Sequence, residues 1–265
     1  MTLVQIIVLA LIQGLTEFLP VSSSAHLILG GKALGWPDQG LVFDVATHLG
    51  TLFAVLIYFR KDLATMLGSA LKPDSTVSGK RNRTMLIYLG LASVPALLVG
   101  FLGHGFIEAH LRDVRIIAWA TIGFGLLLWL ADARGVGNKP IESLSLGGAV
   151  AIGLAQVLAL IPGASRSGVT IMAGRFIGLS SDAAARFSFL LSIPVVAAAG
   201  ASGMLWVARD AAPIDWVQFL LAMSIAAVAG WACIAAFLAL LQRVGLVPFV
   251  LYRLALGVLL LWMVY

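Results

Sequence analysis

The sequence predicts an all-α integral membrane protein with six transmembrane helices and two re-entrant helical hairpins, arranged as an inverted-topology repeat. Its 265 residues are 61% hydrophobic and 11% charged, with a mean hydropathy of +1.03. Soluble domains are about 45–50% apolar and about 25% charged. Six apolar stretches are long enough to cross a bilayer, which takes about 20 residues, and two more are interrupted by proline. We therefore expect a single membrane domain over residues 1–265.

Charge and cysteine content exclude several function classes. The 17 Lys and Arg residues give a formal net charge of +5. They are scattered between apolar stretches, where orientation in the membrane explains them better than nucleic-acid binding does. The single cysteine, Cys233, excludes an intramolecular disulfide, a CxxC zinc site and an iron–sulfur cluster. The apolar N-terminus has no basic region and carries Gln13 and Glu17, so we do not interpret it as a cleaved signal peptide.

The predicted spans are the uninterrupted apolar stretches, at 41–59, 84–103, 114–132, 184–206, 216–241 and 247–265. Lys and Arg accumulate in short cytoplasmic loops, and the connection 60–83 carries six of them. This charge predicts that the 60–83 loop is cytoplasmic. Following the chain from that loop, the first hairpin enters the membrane from outside and the second from the cytoplasm, and both termini end outside.

The two hairpins are predicted where apolar stretches stop at proline, serine and glycine. Residues 3–19 end at the motif PVSSSAH, and residues 145–161 end at PGASRSG. Both motifs stop a helix, and a second short segment follows each of them, at 26–35 and 169–178. Irregular backbone at membrane depth is tolerated only where protein buries it or water reaches it. Re-entrant hairpins are therefore the simplest interpretation.

The two halves of the chain, about 1–132 and 145–265, resemble each other. Pro20 aligns with Pro162, and two one-residue slips are enough to extend the alignment along the following segments. The span after the first hairpin runs inward and the span after the second runs outward, so the halves form an inverted repeat. Folds of this kind place their site where interrupted helices meet near the membrane midplane.

Charged side chains at mid-membrane depth cost at least about 2.5–3.5 kcal/mol each and are usually functional. Glu17, with Gln13 one helical turn earlier, precedes the first break, and Arg166 follows the second. A guanidinium offers a planar fork of donors to phosphate oxygens, and a helix start adds backbone N–H groups. A carboxylate beside Gln13 could hold a divalent cation. Together these groups suit phosphoryl transfer. Other polar residues of the two motifs are Ser23, His26, Ser165, Ser167 and Thr170.

Several alternatives stay open from the residues alone. Arg166 and Glu17 could form a structural ion pair that only holds the hairpins together. An inverted repeat with broken helices is also a transporter architecture, so a polyprenyl-phosphate transporter or flippase is the alternative function. Asp44 and His48 share a helix face but lie near a membrane end, where solvation would explain them. Arg253, in the last span, is expected at the membrane interface or against a lipid phosphate.

A resemblance to a known family rests on four stretches: QGLTEFLPVSSSAH (13–26), FDVATHLGTLFAVLIYFR (43–60), PGASRSGVT (162–170) and FSFLLSIP (187–194). In order and spacing they resemble the bacterial undecaprenyl-diphosphatase family of the bacitracin-resistance type, over essentially the whole chain. The resemblance implies removal of the terminal phosphate of undecaprenyl diphosphate, which recycles the lipid carrier for cell-wall polymers and confers bacitracin resistance. It also implies dependence on Mg²⁺ or Ca²⁺, and a site in the bacterial cytoplasmic (inner) membrane that opens to the outer, periplasmic face.

The family's functional residues transfer position by position. The acid falls on Glu17, the hydroxyl nucleophile on Ser23, and the histidine that would activate Ser23 or a water on His26. Gln13 stands where many members have a second glutamate. An amide can ligate the cation through its carbonyl oxygen but cannot act as a base, so Glu17 is the only carboxylate of the motif. The implied partners are the polyprenyl diphosphate substrate and membrane lipids, and a homodimer is left open. The implied phosphate-binding residues are Ser165, Arg166, Ser167 and Thr170.

Overall fold

The computed structural model describes residues 1–72, 76–111, 113–134, 137–209 and 214–264, except for the side chains of residues 32, 33, 104 and 108. Within these ranges the chain forms eleven α-helices and two short 3₁₀ turns, and no strand is formed. The turns are Ile141–Ser143 and Val157–Leu160. The helices are α1 (Leu3–Thr16), α2 (Ser23–Ala33), α3 (Leu41–Tyr58), α4 (Arg60–Leu71), α5 (Val77–His110), α6 (Val114–Arg134), α7 (Leu146–Gln156), α8 (Arg166–Phe176), α9 (Ser181–Arg209), α10 (Trp216–Val244) and α11 (Val247–Trp262).

Five helices are long and apolar enough to cross a membrane: α3, α5 over Val77–Gly103, α6, α9 and α10. They coincide with the first five predicted spans and indicate a multi-pass membrane protein. The sixth predicted span, 247–265, contains α11, whose 16 residues extend about 24 Å at about 1.5 Å per residue. The hydrocarbon core of a bilayer is about 30 Å thick, and residue 265 lies outside the described residues. The arrangement of six spans and two re-entrant hairpins therefore stays a prediction.

The connection 60–83, predicted as a loop, is largely helical in its described residues. α4 occupies its whole first half. α5 then begins at Val77, where the Thr76 side chain accepts a hydrogen bond from the Gly79 N–H at 3.1 Å. Lys, Arg, Leu, Ala and Met all favour helix. The segment therefore has a helical preference, although its charges are typical of an exposed loop. Met66 is the buried residue of α4, so this helix lies on the surface of the bundle.

Both predicted breaks do interrupt the helices. α1 ends at Thr16 and α2 begins at Ser23, on either side of Pro20. α7 and the 3₁₀ turn that extends it end at Leu160, and α8 begins at Arg166. α2 and α8 have 11 residues each, and both their starts and their ends are offset by 143 residues. α1 packs against α10 and α7 packs against α5, so each broken helix contacts a long helix from the other half of the chain.

Glycines allow the broken helices to lie close to their neighbours. A Cβ atom at Gly14 in α1 would lie 2.7 Å from both the carbonyl oxygen of Ala226 and the Cβ of Ala229 in α10. A Cβ atom at Gly153 in α7 would lie 2.5 Å from the carbonyl oxygen of Ala92 in α5. Small residues at such crossings are typical of membrane helix packing. The close contacts hold both broken helices, and with them the two bends, at a defined position in the bundle.

Arg253 lies in the interior rather than at the membrane interface, so that expectation is wrong. Its side chain is 0% exposed. It donates hydrogen bonds to the carbonyl oxygens of Thr121 at 3.1 Å, Pro20 at 3.2 Å, Gly163 at 3.0 Å and Ala164 at 2.9 Å. The breaks leave carbonyl groups without helical partners, and a buried carbonyl needs a donor. A guanidinium has five N–H donors, so this one side chain of α11 joins both bends to α6.

Candidate active site

The two bends meet at an ion pair. Arg166 Nη2 lies 3.2 Å from Glu17 Oε1, and the two side chains are only 13% and 10% exposed. The other terminal nitrogen of Arg166, Nη1, donates a hydrogen bond to the carbonyl oxygen of Ser188 at 3.2 Å. The guanidinium carbon also lies 6.0 Å from the centroid of the Phe18 ring. The structure thus brings together the acid and the guanidinium that the sequence places near separate breaks.

The second carboxylate oxygen of Glu17 is held by its own hairpin. Oε2 accepts a hydrogen bond from Ser23 Oγ at 3.0 Å and another from Gln13 Nε2 at 2.9 Å. Gln13 lies one turn before Glu17 in the chain, and Ser23 is the first residue of α2. The break therefore folds the start of α2 back over the end of α1, and the carboxylate is surrounded by donors from three directions.

Gln13 also connects this cluster to α3. Its side chain is fully buried, and its Nε2 lies 3.3 Å from Nε2 of His48. The other ring nitrogen of His48, Nδ1, lies 2.7 Å from the carbonyl oxygen of Asp44. A carbonyl oxygen can only accept, so Nδ1 carries the proton of the neutral ring and Nε2 has the free lone pair. His48 is therefore an acceptor at this site, and the Gln13 amide donates to both His48 and Glu17.

Two serines at the bends have an unusual backbone conformation. Ser22 has a φ of 71° and Ser165 a φ of 68°, and they are the non-glycine residues with positive φ among those described. The left-handed conformation costs a residue with a Cβ about 1–2 kcal/mol. Each serine is followed by a helix, and its hydroxyl accepts from the N–H three residues on, at 3.5 Å from Ala25 and 3.2 Å from Gly168. Backbone strain of this kind clusters at functional sites.

A polar cavity of about 170 Å³ lies between the bends. Because it contains an acid, a guanidinium, an imidazole and several hydroxyls, it suits a charged, oxygen-rich ligand. The start of α8 also contributes backbone N–H groups, which favour anions. From the first half of the chain the cavity is lined by Glu17, Ser22, Ser23, Ser24 and His48, and from the second by Ala159, Ile161, Pro162, Gly163, Ser165 and Arg166.

A second, larger cavity of about 840 Å³ opens between α4, α5 and the start of α9. Its lining mixes acids and bases, among them Asp62, Lys80, Glu142 and Arg186. None of the residues that the two motifs single out lines it. Size alone does not identify the site, since the converging polar groups and the strained backbone belong to the smaller cavity.

The chain resembles one protein family along nearly the whole of its own length. The family model described as bacitracin resistance protein BacA matches residues 6–259. The chain belongs to the BacA family. Relatives that match nearly the full chain are named undecaprenyl-diphosphatase. The one from Colwellia psychrerythraea is 51% identical over 271 residues, and the one from Alteromonas mediterranea is 48% identical over 265 residues, each match covering both chains completely. The one from Alcanivorax borkumensis is 51% identical over 261 residues, 97% of each chain. The family predicted from the four stretches is thus confirmed.

His26, the histidine of the motif PVSSSAH, points away from the cavity. His26 Nδ1 lies 2.7 Å from the carbonyl oxygen of Ser22, and Nε2 lies 2.6 Å from the hydroxyl of Tyr252 in α11. By the same reasoning as for His48, Nδ1 donates and Nε2 accepts from the tyrosine. The ring is not part of the cavity lining, so the structure does not bring His26 to Ser23 or Glu17.

The four residues of the implied phosphate-binding set divide into two layers. Ser165 and Arg166 line the cavity. Ser167 and Thr170 are almost completely buried behind them. Ser167 Oγ donates to the carbonyl oxygen of Leu19 at 2.8 Å, and Thr170 Oγ1 lies 2.7 Å from Oγ of Ser188. These two hydroxyls join α8 to the first bend and to α9, so in this structure they support the residues that face the cavity.

His48 lines the cavity, although its place near a membrane end suggested solvation, and Tyr252 contacts the motif histidine outside the cavity. Neither contact was expected from the sequence. A signal for His48 was available, because Thr51 follows one turn later on the same face of an apolar helix. Polar residues repeated at helical spacing in an apolar span indicate a polar interior face. Tyr252 shows no comparable signal in the sequence.

The residues at the site are of the types that bind a divalent cation, but they supply few ligands. Carboxylate and amide oxygens are the ligands that Mg²⁺ and Ca²⁺ prefer, and the Gln13 amide lies next to Glu17. Gln13 Oε1 is buried and has no hydrogen-bond partner among the described residues, so its lone pairs are not engaged. Across the same residues no group of three or more His, Cys, Asp or Glu side chains could hold a metal. A cation held by Glu17 and Gln13 would need water and phosphate oxygens to complete its coordination shell.

Proposed function

We propose that this BacA-family chain is an undecaprenyl-diphosphatase, which hydrolyses undecaprenyl diphosphate to undecaprenyl phosphate and inorganic phosphate. The observation that carries the proposal is the polar cavity in which Arg166 and Glu17, from different bends, contact each other. Relatives that match the chain end to end bear the name of this activity. The reaction would recycle the lipid carrier of cell-wall polymer synthesis and so confer bacitracin resistance. An isoprenoid tail stays in the bilayer, which explains why the catalyst is a membrane protein.

Arg166 and the start of α8 would bind the diphosphate. The guanidinium fork matches two phosphate oxygens, and the N–H groups of the helix start add partial positive charge. Ser165 lines the cavity beside them and can donate its hydroxyl to a third oxygen. A divalent cation, Mg²⁺ or Ca²⁺, would be held by Glu17 and Gln13 and would supply further positive charge for the phosphate oxygens.

Ser23 is the nucleophile in this proposal, and Glu17 is the group that accepts its proton. Ser23 Oγ attacks the terminal phosphorus, the P–O bond to the lipid phosphate breaks, and undecaprenyl phosphate leaves. Water then hydrolyses the phosphoserine to serine and inorganic phosphate. The hydrogen bond of 3.0 Å from Ser23 Oγ to Glu17 Oε2 supports Glu17 as the base. His26 makes both of its ring hydrogen bonds elsewhere, so we assign it no part in this step.

Phosphate release by the purified protein tests the function. The full chain in detergent is expected to release inorganic phosphate from undecaprenyl diphosphate and from the shorter farnesyl diphosphate, without any ion gradient. The Glu17→Gln variant, purified identically, serves as the control for contaminating phosphatases. If the protein instead released no phosphate but moved prenyl phosphate across the membrane of vesicles, it would be a transporter. Light scattering of the same preparation measures whether the homodimer left open by the sequence forms.

Ser23→Ala is expected to lower turnover by about a hundredfold or more, because the hydroxyl that attacks phosphorus is lost. Phosphate release measures the rate, and mass spectrometry of acid-quenched wild-type protein should detect a phosphate ester at Ser23. Ser24→Ala is the matched control, since Ser24 Oγ contacts Ser22 Oγ at 3.1 Å and makes no contact with Glu17. Near-normal turnover of Ser23→Ala would transfer the role of nucleophile to water.

The finer topology is also proposed: a bacterial inner-membrane protein with six spans, two re-entrant hairpins in inverted repeat, and a site that opens to the periplasm. The 143-residue offset between α2 and α8 and the six basic residues of 60–83 support it. With Cys233 replaced by alanine, a membrane-impermeant thiol reagent should label Asp38→Cys in intact cells and Ser78→Cys only after lysis. Both positions are exposed. The reverse pattern would invert the topology.

A further inference from the structure

His48 and Glu17 both present lone pairs to the side-chain amide of Gln13. The Gln13 amide nitrogen lies between them, 3.3 Å from His48 Nε2 and 2.9 Å from Glu17 Oε2. Neighbouring ligands around a small divalent cation are about 3 Å apart, since metal–ligand bonds are about 2.1 Å long. The amide N–H₂ group therefore occupies a position between two groups that are both good metal ligands.

The amide of Gln13 is only half satisfied in this orientation. Its Nε2 has two acceptors, while its Oε1 is buried and has no hydrogen-bond partner among the described residues. Rotation by half a turn about the last side-chain torsion, which has broad preferences, would exchange the two atoms. The amide oxygen would then face Glu17 and His48. Three acceptors that face one another repel without a cation, but they form a ligand set when a cation lies among them.

We propose that His48 Nε2 is a ligand of the divalent cation, together with Glu17 and the oxygen of a rotated Gln13 amide. The inference deepens the proposed function, on which it rests, by specifying the cation site. The hydrogen bond of 2.7 Å between His48 Nδ1 and the Asp44 carbonyl oxygen fixes the tautomer with a free Nε2, as partners of metal-bound histidines commonly do. Three protein ligands leave positions for water and for phosphate oxygens.

A nitrogen ligand changes which cation the site prefers. Imidazole favours late first-row ions such as Zn²⁺, whereas oxygen ligands suit Mg²⁺, Ca²⁺ and Mn²⁺. We therefore expect the wild-type protein to bind Zn²⁺ more tightly than Mg²⁺. Replacing His48 by glutamine should reduce that preference, because it exchanges the imidazole nitrogen for an amide.

Manganese binding to the substrate-free, full-length protein in detergent tests the ligand directly. Pulsed electron paramagnetic resonance of the Mn²⁺ complex should show coupling to a ¹⁴N nucleus of coordinated imidazole. His48→Gln should abolish the coupling and raise the Mn²⁺ Kd by at least about tenfold, the loss typical even for a partner of a metal ligand. The matched control is His110→Gln, because His110 is exposed and bonds to the Phe106 carbonyl oxygen. It should keep both the coupling and the affinity.

A second variant covers the case in which His48→Gln does not fold. Gln13→Met keeps most of the side-chain volume but removes the amide oxygen, so it should weaken Mn²⁺ binding while the nitrogen coupling persists. The proposal is overturned if wild-type protein binds no Mn²⁺ or shows no nitrogen coupling. It is also overturned if the coupling survives in His48→Gln or disappears in His26→Gln.

These outcomes are separate from those that test the phosphatase activity. A protein that binds Mn²⁺ through His48 but releases no phosphate from prenyl diphosphates would contradict the proposed function and leave the ligand assignment standing. A protein that hydrolyses the substrate, and whose Mn²⁺ affinity is unchanged in His48→Gln, would contradict only the ligand assignment.

Discussion

Arg166→Gln is expected to lower kcat/KM for undecaprenyl diphosphate by about a thousandfold, the effect of removing a preorganised donor of transition-state charge. Arg166→Lys retains the positive charge but loses the planar fork, so we expect an intermediate loss of about 2 kcal/mol, or about 30-fold. Initial rates of phosphate release from farnesyl diphosphate, at fixed detergent and protein concentration, measure both values. The order wild type, lysine, glutamine follows from bidentate binding.

Arg186→Gln is the matched control for both variants. Arg186 is more exposed, pairs with Asp182 at 2.8 Å and lines the other cavity, so its loss should leave the rate almost unchanged. Thermal unfolding should accompany the rates, because Arg166 also bonds to the Ser188 carbonyl oxygen. If well-folded Arg166→Lys retains near wild-type kcat/KM, the contact with Glu17 is a structural ion pair and the substrate is bound elsewhere.

Glu17→Gln is expected to lower turnover by about a thousandfold or more, because it removes the base for Ser23 and the one carboxylate among the described residues that line the cavity. The change keeps the shape of the side chain but replaces an acceptor oxygen with an N–H₂ group, which cannot accept from Ser23 or Gln13. The rate of cation-dependent phosphate release measures the loss of turnover. Arg166 loses its counter-ion as well, so the folded fraction of the variant should be measured by thermal unfolding alongside the rate.

Glu142→Gln supplies the comparison for the acid. Glu142 is exposed in the turn Ile141–Ser143 and lines the larger cavity, so its charge should not affect turnover.

Chelator-treated wild-type protein tests the cation separately and should lose activity that added Mg²⁺, Ca²⁺ or Mn²⁺ restores. Full activity after chelation would remove the cation from the mechanism while leaving the role of Glu17 as a base intact.

Much of the membrane architecture could be predicted from hydropathy and proline placement. The five long helices follow directly from apolar length, because the cost of exposing backbone in lipid forces such stretches to be helical. The breaks near Pro20 and Pro162 follow from side-chain and backbone constraints that are local to each motif. α4 could not be predicted in the same way, since its charges indicate a loop unless helix propensity is weighed against them.

The contact between Glu17 and Arg166 was also predictable, because the cost of burying either charge alone requires a partner at the same depth. The directions of individual side chains were not. His26 turns toward Tyr252, which is 226 residues later in the chain, and Thr170 turns toward Ser188. His48 reaches the cavity only because α3 packs beside α1. Such orientations depend on tertiary packing, which a single sequence does not display.

The hydrogen bonds of Arg253 have a consequence for biosynthesis. The carbonyl groups of the two turns that this guanidinium joins are synthesised before the arginine itself. Before α11 has been inserted, these buried carbonyl groups lack their guanidinium donor. We therefore expect the two turns to reach their final hydrogen bonding only when α11 joins the bundle.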